Sequence, residues 1–185
     1  MVVDYDPAWT QRFAEVGSAL RSQLVPKALR IDHIGSTSVP GLAAKDVIDV
    51  QVTVLRLSDA DDWPDALVSG LMRRPAITRD HVPASVPSAR ADWEKRYWSA
   101  PGAVHAHVRE DGRLNQRYAL LFRDYLRFDA AAAGAYETLK RALTEVAPGD
   151  GDAYYAVKDP ACDLIVTGAE HWARQSNWAP AASDT

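Results

Sequence analysis

Residues 31–54 read IDHIGSTSVPGLAAKDVIDVQVTV, and the fold follows from how this stretch divides. Two runs rich in β-branched residues flank a segment dense in Gly, Ser, Thr and Pro. Val, Ile and Thr are stiff at χ1 and suit a pleated surface, so 47–54 reads as a strand and 28–34 as another. Along 47–54, Val50, Val52 and Val54 share one face, while Asp49, Gln51 and Thr53 share the other. The first face is expected to be core and the second a row of polar groups. Between the strands, Gly35-Ser36-Thr37-Ser38 is suited to bringing backbone amides and hydroxyls against an anion, because Gly tolerates close approach and unusual φ. The same residues would equally serve as a turn and a helix cap.

Outward from this block, Asp6-Pro7 opens a helix, and Trp9, Phe13, Val16, Leu20 and Leu24 follow at helical spacing up to Pro26. Ser58 to Met72 reads as an acid-capped helix closing at Gly70, and Arg74 to Arg79 as a third strand. Residues 81–91 carry two prolines and no periodicity, which predicts a loop long enough to act as a lid. Trp93–Trp98 and Ala103–Arg109 alternate around Pro101-Gly102, a hairpin by its turn residues. In its second arm His105, His107 and Arg109 share a face. Two histidines at alternate positions can ligate a transition metal, line a polar pocket or simply face solvent.

From residue 114 the period becomes helical. Leu114, Tyr118, Leu121, Phe122, Tyr125 and Phe128 give one stripe, Ala130 to Val146 a second helix, and Asp152 to Trp178 a third region that Pro160 should break or kink. The expected architecture is α+β. A mixed sheet of about five strands carries packed helices and a C-terminal helical annex, with a nucleotide-sized pocket at the Gly35-Ser36 loop. Residues 1–178 form one domain on this reading, with a sheet portion over 1–111 and a helical portion over 112–178. Residues 179–185 are a disordered tail.

Composition narrows the function classes. The chain has 185 residues, 47 % hydrophobic and 25 % charged, with a net charge of −4. That argues against a nucleic-acid partner held on a broad basic surface. No apolar run approaches membrane-spanning length, and no apolar leader follows Met1, so a cytoplasmic location without membrane contact is expected. The single Cys162 lies in an apolar run and reads as core.

The block HIGSTSVPGLAAKDVID resembles the signature of the GrpB family. Asp4-Tyr5-Asp6-Pro7-Ala8-Trp9 and Phe122-Arg123-Asp124-Tyr125-Leu126-Arg127 extend the likeness over residues 2–178. The resemblance implies a nucleotidyltransferase-like fold, and kinship with the C-terminal accessory domain of some dephospho-CoA kinases. Active members of that superfamily pair a Gly-Ser with two alternating carboxylates that hold Mg²⁺. Asp49 fits the first, catalytic and metal-binding position, but Gln51 stands at the second. Asp46 points to the other face. The implied role is binding of a nucleotide or other phosphorylated small molecule, with Mg²⁺-dependent nucleotidyl transfer if the carboxylate set suffices. Gly35, Ser36 and Thr37 would hold phosphate, with His33, Lys45, His107 and Arg123 in support. For His33 the alternative is a histidine hydrogen-bonded beneath the loop. For Arg123 it is a buried pair with Asp124. A separate reading is a non-catalytic module that assists folding or assembly of a dephospho-CoA kinase, acting in trans because Met1 heads the chain.

Overall fold

The computed structural model describes residues 1–83, 86 and 89–185. Its centre is a five-stranded sheet formed by β1 (Ala28–Ile34), β2 (Ile48–Val54), β3 (Met72–Arg73), β4 (Arg96–Ala100) and β5 (Val104–Glu110). Their spatial order is β1-β2-β5-β4-β3. The β2–β5 pair is parallel and the other pairs antiparallel. Helix α1 (Ala8–Leu24) buries Trp9, Phe13, Leu20 and Leu24 on one face of the sheet, against Val50, Val52, Val54, Ala106 and Val108. Asp6 starts it by accepting from the Ala8 N–H at 2.8 Å.

The three C-terminal helices are α2 (Leu114–Phe128), α3 (Ala130–Val146) and α4 (Gly151–Ser176). Helix α2 covers the other face of the sheet, so two members of the polar row of β2, Gln51 and Thr53, are fully buried. Gln51 Nε2 donates to the Gln116 carbonyl of α2 at 3.2 Å. The buried side of α2 is also wider than the expected stripe. Asn115, Gln116, Leu120 and Leu126 are inside with Leu121 and Phe122, whereas Phe128 is 66 % exposed. A second apolar cluster joins Val39 and Leu42 of the β1–β2 connection to Phe122, Leu126, Tyr136 and Cys162. Among the described residues no helix is long and apolar enough to cross a membrane.

Several expectations are corrected. Residues 58–72 form no α-helix; 3₁₀ turns at Leu57–Ala60 and Val68–Gly70 flank Pro64, and Ser69 adopts a φ of 59°. The Trp63 ring packs on Trp98 instead of continuing a helical face. The third strand is the two residues Met72–Arg73 rather than Arg74–Arg79, which meets Pro75 at once and keeps only an isolated bridge, Arg79 to Glu94. Helix α4 continues through Pro160. The lid proposed for residues 81–91 lies partly outside the described residues. In the C-terminal segment, Ser183 and Asp184 bond to the open edge of β1. There Ser183 Oγ accepts from Ile31 N at 2.9 Å, and Asp184 Oδ2 from His33 N at 2.8 Å.

Candidate functional site

Where the polar face of β2 and β5 emerges from beneath α2, it floors a cavity of about 480 Å³. The floor is a matter of register. Asp49 of β2 lies opposite His105 of the parallel strand β5, and Gln51 opposite His107, so all four side chains point the same way. Asp49 Oδ1 is 3.2 Å from His105 Nδ1 and 3.6 Å from His107 Nε2. Behind Asp49 stands Gly35, whose φ of 71° and ψ of −175° suit a residue without a side chain. A Cβ there would lie 2.5 Å from Asp49 Oδ2, so the carboxylate packs into the space that glycine leaves free.

Beneath the floor runs a buried charge network. Arg109 clasps Asp80 through Nε (2.8 Å) and Nη2 (3.0 Å), and Lys95 Nζ reaches Asp80 Oδ1 at 2.7 Å. Arg109 Nη1 also donates to Gln51 Oε1 at 2.5 Å. Burial opposes ionisation of Asp49, but the hydrogen bonds from His105 and His107 outweigh it and hold the carboxyl well below the usual range. Burial and the neighbouring Lys95 push His107 down to about 4, so at neutral pH an anionic carboxylate faces a neutral imidazole.

The opposite wall comes from the annex. Lys140 of α3 and Tyr154, Tyr155 and Lys158 of α4 line the cavity, together with Lys45 from the β1–β2 connection. The Lys45 ammonium sits 3.9 Å above the Tyr154 ring centroid. Burial lowers Lys140 to about 8, so it remains cationic at neutral pH. Three lysines and two tyrosine rings thus line the cavity with Asp49, Lys140 through an ammonium that also donates to the Ala43 carbonyl.

Of the residues singled out from sequence, Gly35, Ser36, Thr37, Lys45, Asp49 and His107 line this one cavity. The Thr37 hydroxyl, however, donates to the Val47 carbonyl at 3.2 Å and Ser38 Oγ to the Gly35 carbonyl at 2.6 Å, so both hold the turn itself. Two residues lie elsewhere. His33 pairs in register with Val50 and therefore faces α1, stacked on Phe13 with ring centroids 4.6 Å apart. Its Nε2 is 3.0 Å from Thr37 Oγ1, the arrangement beneath the loop given as its alternative. Arg123 is 1 % exposed and bonded to Asp124, the His33 carbonyl and Asp184. It anchors α2 to β1 and the C-terminal segment rather than lining the cavity. Asp46 serves Trp9 and Arg12 outside the site. Asp80, Lys95, Tyr97, Tyr154, Tyr155 and Lys158 join the site without having been singled out; only the Tyr154-Tyr155…Lys158 spacing, one helix face, offered a signal.

The donor set does not match Mg²⁺. A hard cation wants several oxygens, and Asp49 supplies the one carboxylate among two imidazoles. Gln51 is turned into the Arg109 network and has no freedom to reach the cavity, being fully buried.

A family model described as GrpB protein matches residues 1–167, and the chain belongs to the GrpB family. It is similar to the crystal structure of the conserved protein GrpB from Enterococcus faecalis, with a TM-score of 0.71 and 32 % identity over 93 % of this chain and 99 % of that one. The nucleotidyltransferase-like α+β fold expected from the sequence is the one observed. The chain is also 37 % identical to a dephospho-CoA kinase of Mycolicibacterium paratuberculosis, over 97 % of its own length and 48 % of the kinase. A UPF0157 protein of Streptomyces coelicolor is 35 % identical over 88 % of this chain and 78 % of that protein. The chain thus spans about half the length of the dephospho-CoA kinases it matches.

Proposed function

We propose that this GrpB-family protein binds an anionic small molecule carrying a ring, a nucleotide or another phosphorylated metabolite, in the cavity between sheet and annex. The observation that carries this reading is the annex wall. Lys45, Lys140 and Lys158 line one cavity with Tyr154 and Tyr155, a combination suited to phosphate oxygens at one end and a flat ring at the other. Ser36 and the tight turn at Gly35 close the rim. Nucleotidyl transfer is not part of the proposal, because the carboxylates needed for a magnesium-dependent step are not assembled around Asp49.

The test is a thermal-shift screen with nucleotides, coenzyme A precursors and pyrophosphate. A ligand at 100 times its Kd stabilises the native state by about 2.7 kcal/mol. For a chain of this size that is a rise in Tm of roughly 5–11 °C. The rise should disappear in Lys45→Gln and Lys158→Gln. No shift with any ligand of the screen refutes the reading.

A second reading, assistance to a dephospho-CoA kinase, is favoured by relatives in which the matching half belongs to a protein of that name. It predicts that co-expression raises the soluble yield of the host's dephospho-CoA kinase. An unchanged yield counts against it.

A further inference from the structure

We infer that Asp49, His105 and His107 form a binding site for a borderline transition-metal dication of the Zn²⁺ or Co²⁺ type, with its remaining coordination positions open to the cavity. The ligand atoms of these three side chains all lie within 4.8 Å of one another, and no other such group of His, Cys, Asp or Glu occurs among the described residues. Bonds of about 2.0–2.2 Å from metal to nitrogen and oxygen place neighbouring donors roughly 3–3.6 Å apart. The separations from Asp49 Oδ1, 3.2 Å to His105 Nδ1 and 3.6 Å to His107 Nε2, are of that size. Two imidazoles and one carboxylate on one side of an ion, with free positions opposite, are a donor set for Zn²⁺, Co²⁺ or Fe²⁺ rather than Mg²⁺.

The surroundings fit a ligand set held in advance. All three residues sit on the backbone of paired strands. Asp49 Oδ2 fills the space a Cβ on Gly35 would take, 2.5 Å from that position, so glycine is what gives the carboxylate room there. The three side chains keep 29 %, 34 % and 17 % of their surface, so an ion can enter from the cavity. In the metal-free arrangement Lys95 Nζ, 3.2 Å away, donates to His107 Nδ1, with Arg109 Nη2 at 3.4 Å. The ring proton is then on Nε2, toward Asp49. Ligation through Nε2 displaces that proton; Asp80 Oδ1 lies 3.9 Å from Nδ1, beyond hydrogen-bond distance, and already accepts from Lys95 and Arg109. Asp49 and Asp80 balance Lys95 and Arg109, so a bound dication leaves the cavity floor positive and completes its coordination with water or an anion.

The experiment uses the full chain, stripped with EDTA and dialysed, titrated calorimetrically with ZnCl₂, CoCl₂ and MgCl₂. One equivalent of Zn²⁺ and of Co²⁺ should bind, Co²⁺ with a visible absorption band, and Mg²⁺ should give no heat. His105→Ala and His107→Ala should each weaken Zn²⁺ at least 100-fold, roughly the upper end of what losing an outer partner alone costs. His81→Ala and His171→Ala should bind as the parent does. Circular dichroism in EDTA checks folding, and His105→Asn carries the test if His107→Ala is unfolded. Absence of Zn²⁺ binding, binding that survives both ligand variants, or binding lost with His81 or His171 overturns the inference. Nucleotide shifts measured in EDTA report separately on the proposed function.

Discussion

Replacing Gly35 by alanine tests the packing of the turn against Asp49 without touching a side chain of the site. At φ 71° and ψ −175° the backbone occupies a region nearly confined to glycine, and a Cβ costs about 1–3 kcal/mol there. That Cβ would also lie 2.5 Å from Oδ2, 3.0 Å from Cβ and 3.1 Å from Cγ of Asp49. Relief requires the carboxylate to leave His105 and His107 or the turn to lift, an overpacking penalty of about another 1–3 kcal/mol. The sum, roughly 2–6 kcal/mol, corresponds to a loss of about 4–24 °C in Tm for a domain of this length. Calorimetry in EDTA measures it. The two contributions separate in a double-mutant cycle with Asp49→Ala, which removes Oδ2 and Cγ while leaving the Cβ contact and the backbone cost. Gly35→Ala should be less harmful in that background by about 1 kcal/mol or more. A Tm within a degree of the parent, or strict additivity, refutes the reasoning.

Burial, reinforced by the charge of Arg127, lowers His33 to about 4. A base whose folded value lies below its unfolded one contributes fully above about 6.5 and loses stability as pH falls from there to about 4, by about 3 kcal/mol in all. Denaturant titrations should therefore show His33→Gln losing less stability than the parent across that window, and parallel profiles would contradict the assignment. Gln51→Glu restores the sequence pattern of two alternating carboxylates, yet the new carboxylate would meet Arg109 Nη1, which already lies 2.5 Å from Gln51 Oε1. No Mg²⁺-dependent rise in Tm is expected in this variant; a rise would show that the side chain reaches the cavity. Asp184→Ala removes an acceptor of both His33 N and the buried Arg123, at 2.8 and 2.9 Å. The expected cost is about 1–3 kcal/mol. A differential scan should register it as about 2–12 °C, and an unchanged Tm would mean that the C-terminal segment does not hold the edge of β1.

What the sequence displayed was whatever depends on neighbours in the chain. The alternation of 48–54 marks β2, the heptad-like spacing of Trp9 to Leu24 marks α1, and Pro101-Gly102 marks the β4–β5 turn, since local sterics and one buried face decide each. Where a distant partner decides, the reading failed. Trp63 and Leu67 could complete a helical stripe, but Trp98 offered them burial without one. The face of His33 was undetermined until its register with Val50 was known. Asp80 gave no signal because it lies in an aperiodic segment and acquires its role only from Arg109 and Lys95. The annex wall illustrates the same point: Tyr154 and Lys158 stand one turn apart in α4, but nothing within α4 says that they turn back onto β2.

The single parallel pairing in the sheet has a consequence for folding. Antiparallel β1–β2 and β4–β5 are local hairpins, whereas the seam between β2 and β5 closes only after residues 55–103 have been looped out. Closing such a loop is entropically costly and slow relative to hairpin formation. Asp49 stands on one side of that seam and His105 and His107 on the other. Anything gripping all three ties the two strands together across that seam, and its binding free energy opposes global unfolding rather than local fraying. Hydrogen exchange would register such a tie as slower opening across both hairpins at once.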